Sequence, residues 1–193
     1  MLKINKDNIW VMWPDFLVDN FIEYPSNKIF DYEGDFNFSL EFKLSNIVNE
    51  KMTLFAKLPT YFGIDIESHG LLMVYSEEGN DTKYLTKNYQ WVPNKKYSLE
   101  IIKSGFNIKL SINDELLFDI DLSTKLVSDE RPHIIFGSGN FPKNGFNLNY
   151  FDGVLCYLSI KKDDVLISEH TFDKFIHNKS YDLTNNCNFL HKI

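Results

Sequence analysis

Apolar and polar residues alternate through the middle of the chain. Phe106, Ile108, Leu110 and Ile112 are separated by Asn107, Lys109 and Ser111, a period of two that sends apolar side chains to one face of a pleated strand and polar ones to the other. With its flanks, the stretch 97–120 reads as three strands joined by tight turns at Ser104-Gly105 and Asn113-Asp114. Gly, Asn and Asp tolerate positive φ, which two-residue hairpin turns of the primed types require, so turn chemistry and burial specify the same register. One dry face and one wet face is the mark of antiparallel sheet.

The same pattern runs along most of the chain. Phe36, Phe38, Leu40, Phe42 and Leu44 alternate with Asn37, Ser39, Glu41 and Lys43, and strand-length runs follow at 52–58, 61–67, 71–76, 83–86, 133–136, 154–161 and 165–172. Turn residues punctuate them at Gly34, His69-Gly70, Gly79-Asn80 and Asp163-Asp164. Short strands at this spacing predict an all-β sandwich or barrel. Ala56 is the sole alanine, and the abundant Phe, Tyr, Ile and Thr favour pleated, half-buried surfaces over helix. A short helix or 3₁₀ turn near 122–126 or 173–178 would not disturb this reading. The segment 9–14, with Trp10 and Trp13, is expected to complete the sandwich where its terminal strands meet at a sheet edge; the other reading is a contact surface for another protein.

Composition narrows the classes. At 193 residues and 44% hydrophobic, with no repeat, linker or charge block, the chain is expected to form one domain over 1–193. A net charge of −7, with Lys scattered among Asp and Glu, excludes nucleic acid as a partner, since phosphates demand a basic surface. No apolar run reaches the roughly 20 residues that span a bilayer. Asp7, Asn8, Pro14 and Asp15 interrupt the apolar centre a signal peptide would need, so the expectation is a cytosolic protein or a piece of a longer one. Cys156 and Cys187 read as free thiols, the other reading being a disulfide that pins the C-terminal segment to the sheet, and neither has metal-ligand spacing. No nucleophile elbow is present, and His69, His133, His170, His177 and His191 are scattered. Gly137-Ser-Gly139-Asn140 precedes no helix-forming segment, so it does not cradle phosphate.

Four segments occur in a telling order: Phe36-Asn-Phe-Ser-Leu-Glu-Phe; Leu54-Phe-Ala-Lys; Trp91-Val-Pro-Asn-Lys-Lys-Tyr-Ser-Leu-Glu-Ile with its hairpin; and Ile134-Ile-Phe-Gly followed by Phe151-Asp-Gly-Val-Leu-Cys-Tyr-Leu-Ser-Ile. In that order they resemble the concanavalin A-like lectin/glucanase superfamily, and within it the laminin G-like jelly rolls. The resemblance implies a two-sheet antiparallel jelly-roll sandwich that commonly binds carbohydrate and sometimes hydrolyses it. It also implies that Trp91 packs in the core. Many such jelly rolls hold Ca²⁺ through loop carboxylates, and the candidates here, Asp31, Asp35, Asp152, Asp173 and Asp182, are dispersed. No other cofactor is implied.

Gly63-Ile-Asp65-Ile-Glu67 resembles the Glu-Ile-Asp-Ile-Glu catalytic strand of the β-glucanases in that superfamily. On a strand, Asp65 and Glu67 share a face with Cα atoms roughly 6.7 Å apart. Gly63 stands where the resembled motif has its nucleophilic carboxylate, and a retaining hydrolase needs both carboxylates. The reading is therefore non-catalytic: Asp65 and Glu67 are acids on the wet side, available to sugar hydroxyls. The connection 137–153 carries the other binding candidates, Asn140, Phe141, Asn144, Asn149 and Tyr150. Amides pair with hydroxyls as donor and acceptor, and aromatic rings pack on sugar C–H faces. The function read from the sequence is a lectin-like module whose partner is a glycan, standing alone or fused to another protein or domain; the alternative is a structural or oligomerisation domain.

Overall fold

The structure is a computed structural model and describes residues 2–4, 10–12, 34–47, 51–58, 62–127, 133–136, 151–172, 179–181 and 189–192. Two antiparallel sheets face each other. The first has seven strands: β1 (Leu2–Ile4), β3 (Phe36–Leu44), β8 (Lys96–Ser104), β9 (Asn107–Ile112), β10 (Glu115–Asp121), β12 (Gly153–Lys162) and β13 (Val165–Thr171). Their order is β1-β12-β3-β8-β9-β10, with β13 beside β1 along the same edge of β12. The second has eight strands: β2 (Trp10–Met12), β4 (Met52–Leu58), β5 (Phe62–Glu67), β6 (Gly70–Tyr75), β7 (Lys83–Asn88), β11 (His133–Phe136), β14 (Lys179–Tyr181) and β15 (Phe189–Lys192). They run β14-β15-β2-β11-β4-β5-β6-β7. No helix occurs among the described residues, and the stretch 122–126 is an extended connection in which Leu126 bridges Glu77.

The alternation read from the sequence becomes the inner face. Phe38, Leu40, Phe42 and Leu44 of β3 lie beside Tyr97, Leu99 and Ile101 of β8, and together they pack onto Ile64, Ile66, Leu71 and Met73 of the second sheet. Trp91 is 4% exposed in this core, where it meets Tyr89, Tyr97 and Phe42.

Turn positions shift by one residue where backbone sterics decide. The β8–β9 loop is Gly105-Phe106, because Ser104 pairs with Asn107 and Gly105 takes the positive φ of 56° at the first loop position. Phe106 leaves the strand for the hairpin tip and is 55% exposed. Asn113-Asp114 and Asp163-Asp164 form turns as read, all four residues at positive φ. Ser68-His69 makes the β5–β6 turn, and Gly70 opens β6 where a Cβ would sit 2.6 Å from the Lys87 carbonyl oxygen.

The strands from the two ends of the chain do meet, since β15 pairs with β2. They do so inside the second sheet, with β11 on the other side of β2, and not at its edge. Gly153 sits where β12 joins β3. A Cβ there would lie 2.3 Å from the Lys43 carbonyl oxygen and 2.5 Å from the Phe151 ring. Gly153→Ala is therefore expected to cost about 1–3 kcal/mol by overpacking; a urea unfolding midpoint equal to that of the parent would refute this.

A buried carboxylate clasps the two sheets. Glu77, just past β6, is fully buried and accepts hydrogen bonds from the Ser123 amide at 2.6 Å, the Ser123 hydroxyl at 2.6 Å and the Thr124 amide at 2.8 Å, and it pairs with the Lys83 ammonium. The segment after β10 is thereby tied to the end of β6. Main-chain bonds Glu78 N to Lys125 O at 2.8 Å and Val127 N to Ser76 O at 2.9 Å reinforce it.

Candidate functional site

At one end of the first sheet, three pieces of chain converge: the residues leading into β3, the last turn of β8, and the Asp163-Asp164 turn between β12 and β13. They enclose an open cavity of about 460 Å³ lined by Asp35, Phe36, Asn37, Ile102, Lys103, Ser104, Lys161, Asp163 and Asp164. That volume lies in the range of small-ligand sites.

The wall is cross-locked by hydrogen bonds. The Asp35 carboxylate accepts from the Gly105 amide at 2.6 Å and the Ser104 hydroxyl at 3.2 Å. Its amide donates to Asp163 Oδ1 at 3.1 Å, and its carbonyl accepts from the Asp163 amide at 3.0 Å. Gly34, at φ 84°, lets the chain pass with room for only a hydrogen, since a Cβ would be 3.0 Å from Asp163 Oδ1.

Lys103 is the unusual residue. It occupies an inward position of β8 in register with Tyr97, Leu99 and Ile101, is 6% exposed, and donates from Nζ to the Gly34 carbonyl at 2.7 Å. Burial pushes its ammonium below the usual lysine range, opposed by the negative charges of Asp35 and Asp163. No carboxylate of the described residues lies within ion-pair distance of it. Phe36, half-buried against Phe62, and Ile102, 39% exposed, supply apolar surface beside these polar groups.

Asn37 joins the cavity to the outer face of the first sheet. Its Nδ2 donates to Glu100 Oε1 at 2.9 Å, and its Oδ1 accepts from the Ser39 hydroxyl at 3.1 Å. Across the strands Ser39 is level with Glu100 and Ser159, and Glu41 with Ser98 and Tyr157. Tyr157 donates to Glu169 at 2.6 Å, and burial together with that carboxylate pushes its phenol up. Lys96 pairs with Glu41 at 2.6 Å. Neighbouring strands lie about 4.8 Å apart, so donors and acceptors recur across this face at that spacing.

Of the binding candidates read from the sequence, the described ones, Asp65 and Glu67, do not line this cavity. Asp65 does not stand on a wet face: it is 7% exposed, with its carboxylate taken by the Thr53 hydroxyl at 2.6 Å and Lys51 Nζ at 2.9 Å. Both faces of β5 and β6 are withdrawn from solvent, Gly63, Leu72 and Val74 included. Glu67 is half-buried at the end of β5, in the sheet opposite the cavity. Asn140, Phe141, Asn144, Asn149 and Tyr150 lie outside the described residues, as do Asp31, Asp173, Asp182 and Cys187. Of the calcium candidates within them, Asp35 is engaged by Ser104 and Gly105, and Asp152 accepts from Asn46 at 3.0 Å. No group of three or more potential ligands occurs among the described residues. Cys156 is a free thiol, pushed up by burial. Lys103 and Asn37 went unread as site residues, although a lysine on the apolar phase of an alternating strand was a visible signal.

No family model matches the chain, and no curated protein matches it by sequence. Solved structures do. A candidate carbohydrate-binding protein from Bacteroides ovatus aligns over 100% of this chain and 58% of its own length, at 10% identity and a TM-score of 0.67. The receptor-binding domain of botulinum neurotoxin mosaic serotype C/D aligns over 79% of this chain and 37% of its own, at 16% identity and a TM-score of 0.53. The CBM40 module of a Ruminococcus gnavus IT-sialidase, bound to α2,3-sialyllactose, aligns over 63% of this chain and 72% of its own, at 12% identity and a TM-score of 0.51. The chain thus spans less than two thirds of the length of the first two proteins. At these identities the likeness establishes fold alone. The fold is an all-β, two-sheet jelly-roll sandwich.

Proposed function

We propose that this chain is a non-catalytic carbohydrate-binding module of the concanavalin A-like, laminin G-like kind, holding one sugar residue in the cavity at the end of the first sheet while the glycan continues over Asn37, Ser39 and Glu100. One observation carries the reading: the cavity sets apolar surface from Phe36 and Ile102 beside a buried ammonium, carboxylates and a hydroxyl. A sugar presents the same pairing of C–H faces and hydroxyls. Carbohydrate-binding proteins among the structural neighbours support the class. Asp65, already bonded to Thr53 and Lys51, leaves no carboxylate pair for hydrolysis on β5. Asn140, Phe141, Asn144, Asn149 and Tyr150 are proposed as a second contact region for the same glycan.

A glycan-array screen of the folded protein, with Ca²⁺ and again with chelator, is the test, followed by titration of any hit. Lys103→Met is expected to weaken binding at least about tenfold by leaving sugar and main-chain acceptors without their donor. Ile102→Ala, at an exposed position that spares the core, is expected to weaken it several-fold. Binding unchanged in both variants, or silence across a broad array, would overturn the proposal. Loss of binding on chelation would add calcium to it.

A further inference from the structure

We infer that the cavity takes an uncharged sugar residue and turns acidic sugars away, an inference that rests on the carbohydrate reading above. Among the described residues, three carboxylates, Asp35, Asp163 and Asp164, line it against two ammonium groups, Lys103 and Lys161. The local balance is one negative charge, inside a chain of net charge −7.

Lys103 is poorly placed to reverse that balance. Lys103 spends a donor on the Gly34 carbonyl and faces the charges of Asp35 and Asp163. Tight recognition of a sugar carboxylate favours the planar, bidentate fork of arginine. The chain has a single arginine, Arg131, and no arginine is among the described residues that line the cavity. The Asp35 and Asp163 carboxylates are held at the wall by the amides and hydroxyl they accept from, so they do not readily swing aside for an anion. A neutral hydroxyl meets no such conflict: it accepts from Lys103 and donates to a free carboxylate oxygen. Asp164, with no hydrogen bond or ion pair to a described residue, is the carboxylate most open to it.

The experiment is an array of matched neutral and acidic oligosaccharides, such as lactose with its α2,3-sialylated form and cellobiose with its uronic acid, read at low and at physiological ionic strength. Hits are expected among the neutral members, each acidic partner binding at least roughly tenfold more weakly, a gap of the size one unit charge at close range produces. The gap should narrow as salt rises, because the penalty is a screened charge interaction. It should also narrow in Asp164→Asn, which removes a charge while keeping a residue that tolerates positive φ. Acidic glycans binding as tightly as neutral ones, or a gap that neither salt nor Asp164→Asn moves, would overturn the inference and leave the carbohydrate reading standing. An array with no hits at all would instead remove the carbohydrate reading, and this inference with it.

Discussion

Replacing Glu77 with alanine is expected to lower the free energy of unfolding by about 1.5–3 kcal/mol, the cost of losing hydrogen bonds to a charged acceptor. Glu77 has no exposed surface, and its carboxylate is the acceptor for two main-chain amides and one hydroxyl of the segment after β10. Without it, the Ser123 and Thr124 amides and the Ser123 hydroxyl lose their shared acceptor, and Lys83 loses its ion-pair partner. The two sheets would also lose a tie at that end. Chemical unfolding followed by circular dichroism measures the difference; a Glu77→Ala midpoint within error of the parent would refute the clasp.

The same residue sets an acid limit. Burial pushes the Glu77 carboxyl up, but the Lys83 ammonium, the Ser123 hydroxyl and the two amides outweigh burial and hold it at about 2, against an ordinary 4.5. A folded-state value below the unfolded one means the stabilisation is fully present above about pH 4.5 and is lost as pH falls toward 2. The gap in stability between the parent and Glu77→Gln should therefore be widest above pH 5 and close on acidification. Parallel acid profiles for the two proteins would sink this account.

Trp91 carries the second large effect. Its indole packs against Tyr89 at 4.6 Å, Tyr97 at 4.9 Å and Phe42 at 6.1 Å between ring centroids, and Nε1 donates to the Gly70 carbonyl at 2.8 Å. Trp91→Ala is expected to cost about 3–5 kcal/mol in lost burial and cavity. Trp91→Phe separates the two contributions: most of the packing stays, but the Gly70 carbonyl loses its donor, for about 1–3 kcal/mol. Gly70 cannot shift to find another partner easily, since its position beside the Lys87 carbonyl already excludes a Cβ. Equal stability of Trp91→Phe and the parent would show that the indole hydrogen bond contributes nothing.

Much of the sandwich was legible along the chain. The inward set on β3, Phe38, Leu40, Phe42 and Leu44, follows from period-two alternation alone, and so do Ile108, Leu110 and Ile112 on β9, because side-chain direction on a strand is a local property. Asn113-Asp114 and Asp163-Asp164 were readable as turns for the same reason, since tolerance of positive φ belongs to the residue itself. Ser104-Gly105 was misplaced by one position, and Phe106 with it, because the pairing of Ser104 with Asn107 chooses which two residues span the hairpin.

Burial and proximity belong to the tertiary structure. Alternation puts Asp65 on the face opposite Ile64 and Ile66, but whether that face is wet depends on what else packs there; Asp65 is buried and paired with Thr53, and its neighbours Leu72 and Val74 are buried too. The cavity is decided in the same way. Asp35, Lys103 and Asp163 are 128 residues apart at the extremes, and they meet because β3 lies between β8 and β12. Residue type told which side chains are polar or apolar; strand order, a long-range property that no local pattern encodes, decided which of them stand together.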